Sequence, residues 1–117
     1  MDDAYQLYCE GRSAFARGDL DSAQALLEKS NDLSPHFKTY ELLGDLCVIT
    51  DRGGAAIEHY SVAHALNSTN DNTCTKYAAA LAKYGQITES RGILSQVIAR
   101  NPKYGPAVRL MEELPTP

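Results

Sequence analysis

Three histidines are the side chains of this chain best suited to metal binding or proton transfer. His59 and His64 are five residues apart, so they do not share a helix face as an i, i+4 metal-binding pair does. No nucleophile paired with a base, and no pair of carboxylates placed for acid–base chemistry, is evident in the order of residues. The segment DRGGAA at 51–56 lacks the Lys-Ser or Lys-Thr of a phosphate-binding loop. The sequence therefore predicts no enzyme: no catalytic residue, no metal and no cofactor.

The three cysteines, Cys9, Cys47 and Cys74, also show no pattern of a reactive or metal-binding site. None belongs to a C-x-x-C pair, and three cysteines cannot all form disulfides within one chain. We interpret them as small apolar helix residues of a protein in a reducing compartment. This interpretation places the protein in the cytoplasm.

The charge and length of the chain exclude further classes of function. Eleven Lys and Arg residues against fifteen Asp and Glu give a net charge of −4, which disfavours binding to nucleic acid or to anionic lipid. The acidic start, MDDAYQLY, has no apolar run, and no segment approaches the roughly 18 apolar residues of a membrane span. The 117 residues suit one domain, 1–117, with its own core. The chain can equally be a complete small protein or a domain of a longer one.

Small and large residues recur along the chain at a nearly constant distance. Gly11 is followed 33 residues later by Gly44, and Leu27 is followed by Tyr60 at the same distance. Ala23 and Ala56 are also 33 residues apart, and a further step of 34 leads to Ala78, Ser90 and Leu94. Within each unit the apolar residues follow the helical period. The sequence therefore predicts a tandem array in which two helices and a turn form each unit, with small residues where the paired helices approach closely.

Short polar segments separate the two helices of each unit. In GDLDSA at 18–23, Gly18 can adopt the positive φ that ends a helix, and Asp19 or Asp21 can cap the next one. Gly85 repeats this role in the third unit, whereas Asp51 stands at the equivalent place in the second and its glycines come later. We therefore expect tight hinges in units one and three and a looser hinge in unit two.

With these residues, the chain resembles the tetratricopeptide repeat (TPR) family, whose unit is a helix-turn-helix of about 34 residues. The resemblance covers nearly the whole chain and predicts repeats at about 4–36, 37–70 and 71–104. It implies an all-α fold: a right-handed α-solenoid of three antiparallel helix-turn-helix repeats with a seventh capping helix at about 106–114. We expect Val108, Met111 and Leu114 of this last helix to cover the third repeat.

The resemblance also implies a non-enzymatic protein-interaction module, an adaptor or scaffold that binds a peptide or partner helix in a concave groove. The first helix of each repeat would line this groove. The strip expected there carries four positive charges, at Arg12, Lys38, Lys76 and Lys83, and two negative charges, at Glu41 and Asp45. It suits a peptide with aromatic or acidic groups. The predicted partner-binding residues are Tyr5, Tyr8, Arg12, Lys38, Glu41, Asp45, Asn72 and Lys76.

Two alternatives stay open at this point. Any one of these tyrosines can instead pack on a neighbouring helix, and any one charge can belong to a solvated face.

A second function is a self-assembling structural protein that forms a homodimer through its terminal helices, which a charge at Met111 or Leu114 would weaken. The clamp by which one TPR subgroup binds acidic chaperone C-termini is poorly matched, because Tyr8, Leu42 and Asp45 stand where it has Lys and Asn.

Overall fold

The computed structural model describes residues 3–116, and within them the chain forms seven α-helices and no strand. The helices are α1 (Ala4–Ala16), α2 (Leu20–Leu33), α3 (Phe37–Ile49), α4 (Gly53–Leu66), α5 (Asp71–Lys83), α6 (Ile87–Arg100) and α7 (Gly105–Glu113). The predicted all-α class is confirmed. Residues 1, 2 and 117 of the predicted domain lie outside the described residues.

The first six helices pack as three hairpins, α1 with α2, α3 with α4, and α5 with α6. Each hairpin stacks on the next, because α2 also packs against α3 and α4 against α5. The stack is elongated, with extents of 50 × 27 × 20 Å. Such an array buries its apolar residues between successive helix pairs instead of in one central core.

The three hinges share one backbone geometry. Gly18, Asp51 and Gly85 have φ values of +81°, +55° and +92°, in the left-handed region. After each of them, the next N–H donates to a carbonyl five residues back, with N···O distances of 2.9, 2.7 and 2.7 Å. This is the Schellman ending of a helix. The expectation of a looser middle hinge is therefore wrong, because Asp51 adopts the conformation that glycine adopts in the other two.

The small residues stand where the helices of a hairpin meet. A methyl group built on Gly44 would lie 2.6 Å from the ring of Tyr60, and one on Gly11 would lie 2.8 Å from the side chain of Leu27. In the third hairpin, the buried Ser90 hydroxyl donates to the carbonyl of Ala78 at 2.7 Å. The predicted close approach at the repeating small positions is confirmed.

Helix α7 packs on the third hairpin through two of the three predicted residues, Met111 and Leu114, while Val108 takes no part. Ala107 and Leu114 are buried in a cluster with Cys74, Leu94 and Val97, and Leu110 and Met111 pack against it. Val108, named in the prediction, is outside this cluster. The contacting residues follow the spacing i, i+3, i+4, i+7 from Ala107, and Val108 lies at the edge of that face.

Arg91 of α6 binds the C-terminal end of α7. Its Nη2 donates to the carbonyl of Leu114 at 3.2 Å and to that of Pro115, and its Nη1 lies 3.6 Å from Sδ of Met111. These carbonyls follow the last turn of α7, where a helix leaves its own acceptors unpaired. The guanidinium therefore supplies donors that the short helix lacks.

Candidate functional site

The structure divides the eight predicted partner-binding residues into two groups and leaves one residue outside both. Four of them, Tyr5, Tyr8, Arg12 and Lys38, line a cleft between α1 and the start of α3. Glu41, Asp45 and Lys76 bind one another between α3 and α5. Asn72 is exposed on α5 and belongs to neither group.

The cleft has a volume of about 660 Å³ and opens at the ends of three helices. It is lined by Asp3, Ala4, Tyr5, Tyr8 and Arg12 from α1 and its cap, Ser30 and Ser34 from the end of α2, and His36, Phe37, Lys38 and Thr39 from the start of α3. Its size is in the range of sites that bind small ligands or a few side chains.

Aromatic and cationic side chains dominate the lining of the cleft. Tyr5 is 75% exposed, and the Arg12 guanidinium lies 5.6 Å from the centre of the Tyr8 ring, within cation–π range. The rings of His36 and Phe37 stack with centres 5.0 Å apart. Arg12 and Lys38 are exposed and form no ion pair with any of residues 3–116. The cleft therefore presents unpaired positive charge beside apolar rings.

Local hydrogen bonds fix the walls of the cleft. The Ser30 hydroxyl donates to the carbonyl of Ala4 at 2.6 Å and holds the end of α2 against the start of α1. Asp3 caps α1 by accepting from the N–H of Gln6 at 2.7 Å. His36 caps α3, because its Nδ1 accepts from the N–H of Lys38 at 3.1 Å. The walls are thus helix ends held by side-chain caps.

His36 and Phe37 line the cleft, but the sequence interpretation did not name them. They follow Pro35 at the junction of the first two hairpins, outside the family positions that predict the strip. The available signal was the proline itself, which ends one unit and places the next residues at the mouth of the groove.

The second group is an internal network centred on Lys76. Its Nζ lies 2.9 Å from Oδ2 of Asp45 and 3.4 Å from Oε2 of Glu41. Burial by itself lowers the pKa of Lys76, but the hydrogen bond to Asp45 and the charges of both carboxylates outweigh it and raise that pKa above its usual value. The ammonium group is thus held in its charged form between α3 and α5.

The other carboxylate oxygens of the network also have donors. Tyr60 of α4 donates to Oδ1 of Asp45 at 2.5 Å, and Thr73 donates to Oε1 of Glu41 at 2.7 Å. Burial and the bond to Asp45 raise the pKa of the Tyr60 hydroxyl. Three helices therefore meet in one satisfied network, which we call the central network: Glu41, Asp45, Tyr60, Thr73 and Lys76.

The histidines and cysteines form no metal site among residues 3–116, where no three metal-ligating side chains cluster. All three cysteines have free thiols, and burial raises the pKa of Cys47 and of Cys74. A raised pKa keeps a thiol protonated and unreactive, as expected for a packing residue. In the same residues, no helix has both the length and the apolar character that a membrane crossing requires.

Comparison with known proteins by sequence finds similarity to a protein with tetratricopeptide repeats. No family model matches the chain. The TPR repeat-containing protein MJ1428 of Methanocaldococcus jannaschii is 25% identical to it over 101 residues. The aligned part is 86% of this chain and 18% of that protein, so the chain spans less than a fifth of its relative.

Solved structures match the fold at low sequence identity. The first TPR of Spaghetti (RPAP3), solved bound to the HSP90 peptide SRMEEVD, superposes with a TM-score of 0.87 at 19% identity, over 95% of this chain and 89% of that one. YrrB, described as a TPR protein with an unusual peptide-binding site, superposes with a TM-score of 0.79 at 19% identity, over 89% of this chain and 54% of its own. The repeat spacing, the three stacked hairpins and these similarities agree: the chain has the tetratricopeptide-repeat fold, a right-handed α-solenoid of three hairpins and a seventh helix.

Proposed function

We propose that this chain is a non-enzymatic protein-interaction module, an adaptor or scaffold that binds a peptide or partner helix in the concave groove formed by α1, α3 and α5. The observation that carries the proposal is the cleft of about 660 Å³ between α1 and α3, where exposed rings and unpaired cations lie together. The proposal takes 1–117 as one domain with the repeat limits given above, and it places the protein in the cytoplasm, in line with its three free thiols.

The chemistry of the cleft favours an extended peptide with acidic and apolar groups. Arg12 and Lys38 supply charge-assisted donors for carboxylates, and Tyr5 and Phe37 supply flat apolar surface. Two of the similar structures support this class of function, because one was solved with an HSP90 peptide and the other is described by its peptide-binding site. A nucleic-acid or membrane partner is not part of the proposal.

The test is to capture partners from a lysate of the source cell with two matched variants. In the cleft variant, Arg12→Glu and Lys38→Glu reverse two charges of the lining. In the control variant, Lys29→Glu and Lys103→Glu reverse two exposed charges that form no ion pair with described residues and do not line the cleft. Both variants change the net charge equally, so a general effect of charge appears in both.

A partner held by the wild type and the control, and lost by a folded cleft variant, supports the proposed groove. Equal capture by all three proteins contradicts it and moves the interaction to the outer helices. Because Arg12 and Lys38 are exposed and unpaired among described residues, we expect both variants to fold.

A second candidate is a homodimer formed through the terminal helices. Its original test, a charge at Met111 or Leu114, does not separate assembly from folding, because Leu114 is buried in its own chain and Met111 packs on the same cluster. Leu33 and Leu66, which end α2 and α4, lie outside the terminal helices, but they are 57% and 50% exposed and provide another apolar surface for contact between two copies of the chain. Sedimentation of the wild type and of Leu33→Glu with Leu66→Glu tests it: a dimer that the double variant dissolves supports self-assembly.

A further inference from the structure

The two halves of the expected groove differ in whether their polar groups already have partners. In the central network, all four carboxylate oxygens of Glu41 and Asp45 accept hydrogen bonds from Lys76, Tyr60 or Thr73. The side chains of Glu41 and Asp45 are only 16% and 24% exposed. Two of the three N–H donors of Lys76 are used within the network, and one ammonium faces two carboxylates there, so the local charge disfavours the approach of an anionic ligand.

The cleft has the opposite character. The guanidinium of Arg12 and the ammonium of Lys38 make no hydrogen bond or ion pair with residues 3–116. The one acidic residue of the lining, Asp3, is engaged in capping α1. Arg12 and Lys38 stand against Asp3, so the lining has a surplus of positive charge in a chain of net charge −4. An anionic group is therefore the complementary ligand for this cleft.

We propose that peptide binding is confined to this cleft, and that the central network is an internal lock which joins α3 to α5 and makes no ligand contact. This inference rests on the proposed function and narrows it. The occupant is a short peptide segment that carries a carboxylate beside an aromatic or aliphatic side chain. The carboxylate pairs with Arg12 and Lys38, and the apolar side chain packs on the rings of Tyr5 and Phe37.

The length of the cleft sets the length of the recognised segment. From Tyr5 to Arg12, α1 rises about 10 Å, at 1.5 Å per residue. An extended peptide advances about 3.3 Å per residue, so three or four ligand residues cover this distance. Recognition over seven or more residues would require the groove to extend across α5.

Selection from a random peptide display library on the folded wild-type protein provides the probe. One enriched peptide is then synthesised with a fluorophore, and its dissociation constant is measured by anisotropy. We expect enriched peptides to share a three- or four-residue core with an Asp or Glu next to an apolar residue. We expect Arg12→Glu and Lys38→Glu each to weaken binding by about tenfold or more, because each replaces a charge-assisted donor by a repelling charge.

Variants on α5 test the lock. Lys76→Met, checked for folding by circular dichroism, should change the dissociation constant by less than about twofold. If Lys76→Met does not fold, Asn72→Ala with Lys83→Ala replaces it, since both residues are exposed on α5. The lock also predicts that Lys76→Met lowers the urea midpoint, an effect that a pure ligand contact would not have.

Each other outcome overturns a distinct statement. Peptides whose binding falls equally in the α5 and the cleft variants, or whose shared core has seven or more residues, refute confinement and leave the proposed function standing. Enriched peptides without an acidic residue refute the assigned ligand chemistry. If neither Arg12→Glu nor Lys38→Glu weakens peptide binding, the cleft is not the binding site. No enrichment by the folded wild type refutes the proposed peptide-binding function, and the inference with it.

Discussion

The Nζ atom of Lys76 lies 2.9 Å from Oδ2 of Asp45, and this ion pair joins α5 to α3. The two residues are 31 positions apart in the chain and belong to successive hairpins. Contacts between successive hairpins are the only means by which a solenoid becomes cooperative. The pair therefore acts on the junction between the second and third hairpins.

Replacing Lys76 by methionine should lower the free energy of unfolding by about 1–2 kcal/mol, between the values for exposed and fully buried ion pairs. The reason is that Glu41 and Asp45 lose their cation while they remain mostly shielded from water. Urea unfolding followed by circular dichroism measures the change. Lys83→Met, on the exposed face of the same helix, is the control and should change stability by less than about 0.5 kcal/mol. Equal midpoints for the two variants would show that the network adds nothing.

Two glycine-to-alanine changes should have opposite effects. At Gly44, the new methyl would lie 2.6 Å from the ring of Tyr60, whose hydroxyl is held by Asp45, so we expect a loss of about 1–3 kcal/mol. At Gly92, an exposed position inside α6, nothing lies within 4 Å and the better helix propensity of alanine should add up to about 1 kcal/mol. Thermal unfolding of both variants gives the comparison. A stabilised Gly44→Ala protein would contradict the close helix contact.

The middle hinge offers a test of backbone strain. Asp51 has φ of +55°, where side chains cost energy, so Asp51→Gly should stabilise the protein by about 0.5 kcal/mol after the entropy cost of glycine. Gly85 has φ of +92° and open space around it, so Gly85→Ala should destabilise by about 1 kcal/mol through the backbone alone. Chemical denaturation of the two variants and of the wild type measures both changes in the free energy of unfolding. If Asp51→Gly destabilises the protein as much as Gly85→Ala does, the strain argument is wrong. The hydrogen bond from the Tyr84 hydroxyl to Asp51 is then what stabilises the hinge.

Stability should fall in mildly acidic solution because of two half-buried histidines. Burial lowers the pKa of His59 and of His64 below the ordinary value of 6.5, and the charge of Arg100 adds to the effect at His64. The unfolded chain therefore binds protons at a pH at which the folded chain does not. The stability that depends on neutral His59 and His64 is fully present above pH 6.5 and is lost as the pH falls toward their pKa values in the folded chain.

Urea unfolding at about pH 7.5 and about pH 5.5 measures this dependence. We expect a lower unfolding free energy at the acidic pH. In the double variant His59→Gln with His64→Gln, the difference between the two pH values should shrink. An unchanged difference would assign the pH dependence to other groups.

The sequence predicted the fold well because the fold is local and repeated. The distances of 33 and 34 residues gave the hairpins, and Gly18 and Gly85 gave the hinges. The middle hinge was misjudged because aspartate enters the left-handed region less often than glycine, and the surrounding helices decide whether it does so. Of the three predicted contacts of α7, Met111 and Leu114 are confirmed and only Val108 was wrong, because Val108 and Ala107 are both compatible with a helical apolar pattern.

The groove was harder to predict than the fold. The resemblance to the repeat family placed Tyr8, Arg12, Lys38 and Lys76 on a common strip, but a family position identifies a face of a helix and not the partner of each side chain. His36 and Phe37 were not predicted, because they are the N-cap and the first residue of α3, where the packing of the neighbouring hairpin decides which side chains face the cleft. The cleft that they share with Arg12 exists only when the ends of three helices meet.

The sequence by itself thus determined the repeat length, the helices, the small residues at helix contacts and the signs of the groove charges. Only the tertiary structure decided that Glu41 and Asp45 bind Lys76, and that Arg12 and Lys38 form no ion pair with the described residues. The physical reason is distance along the chain. The bonds of Lys76 reach 31 and 35 residues back, and a pairing of that span depends on how one hairpin stacks on the next.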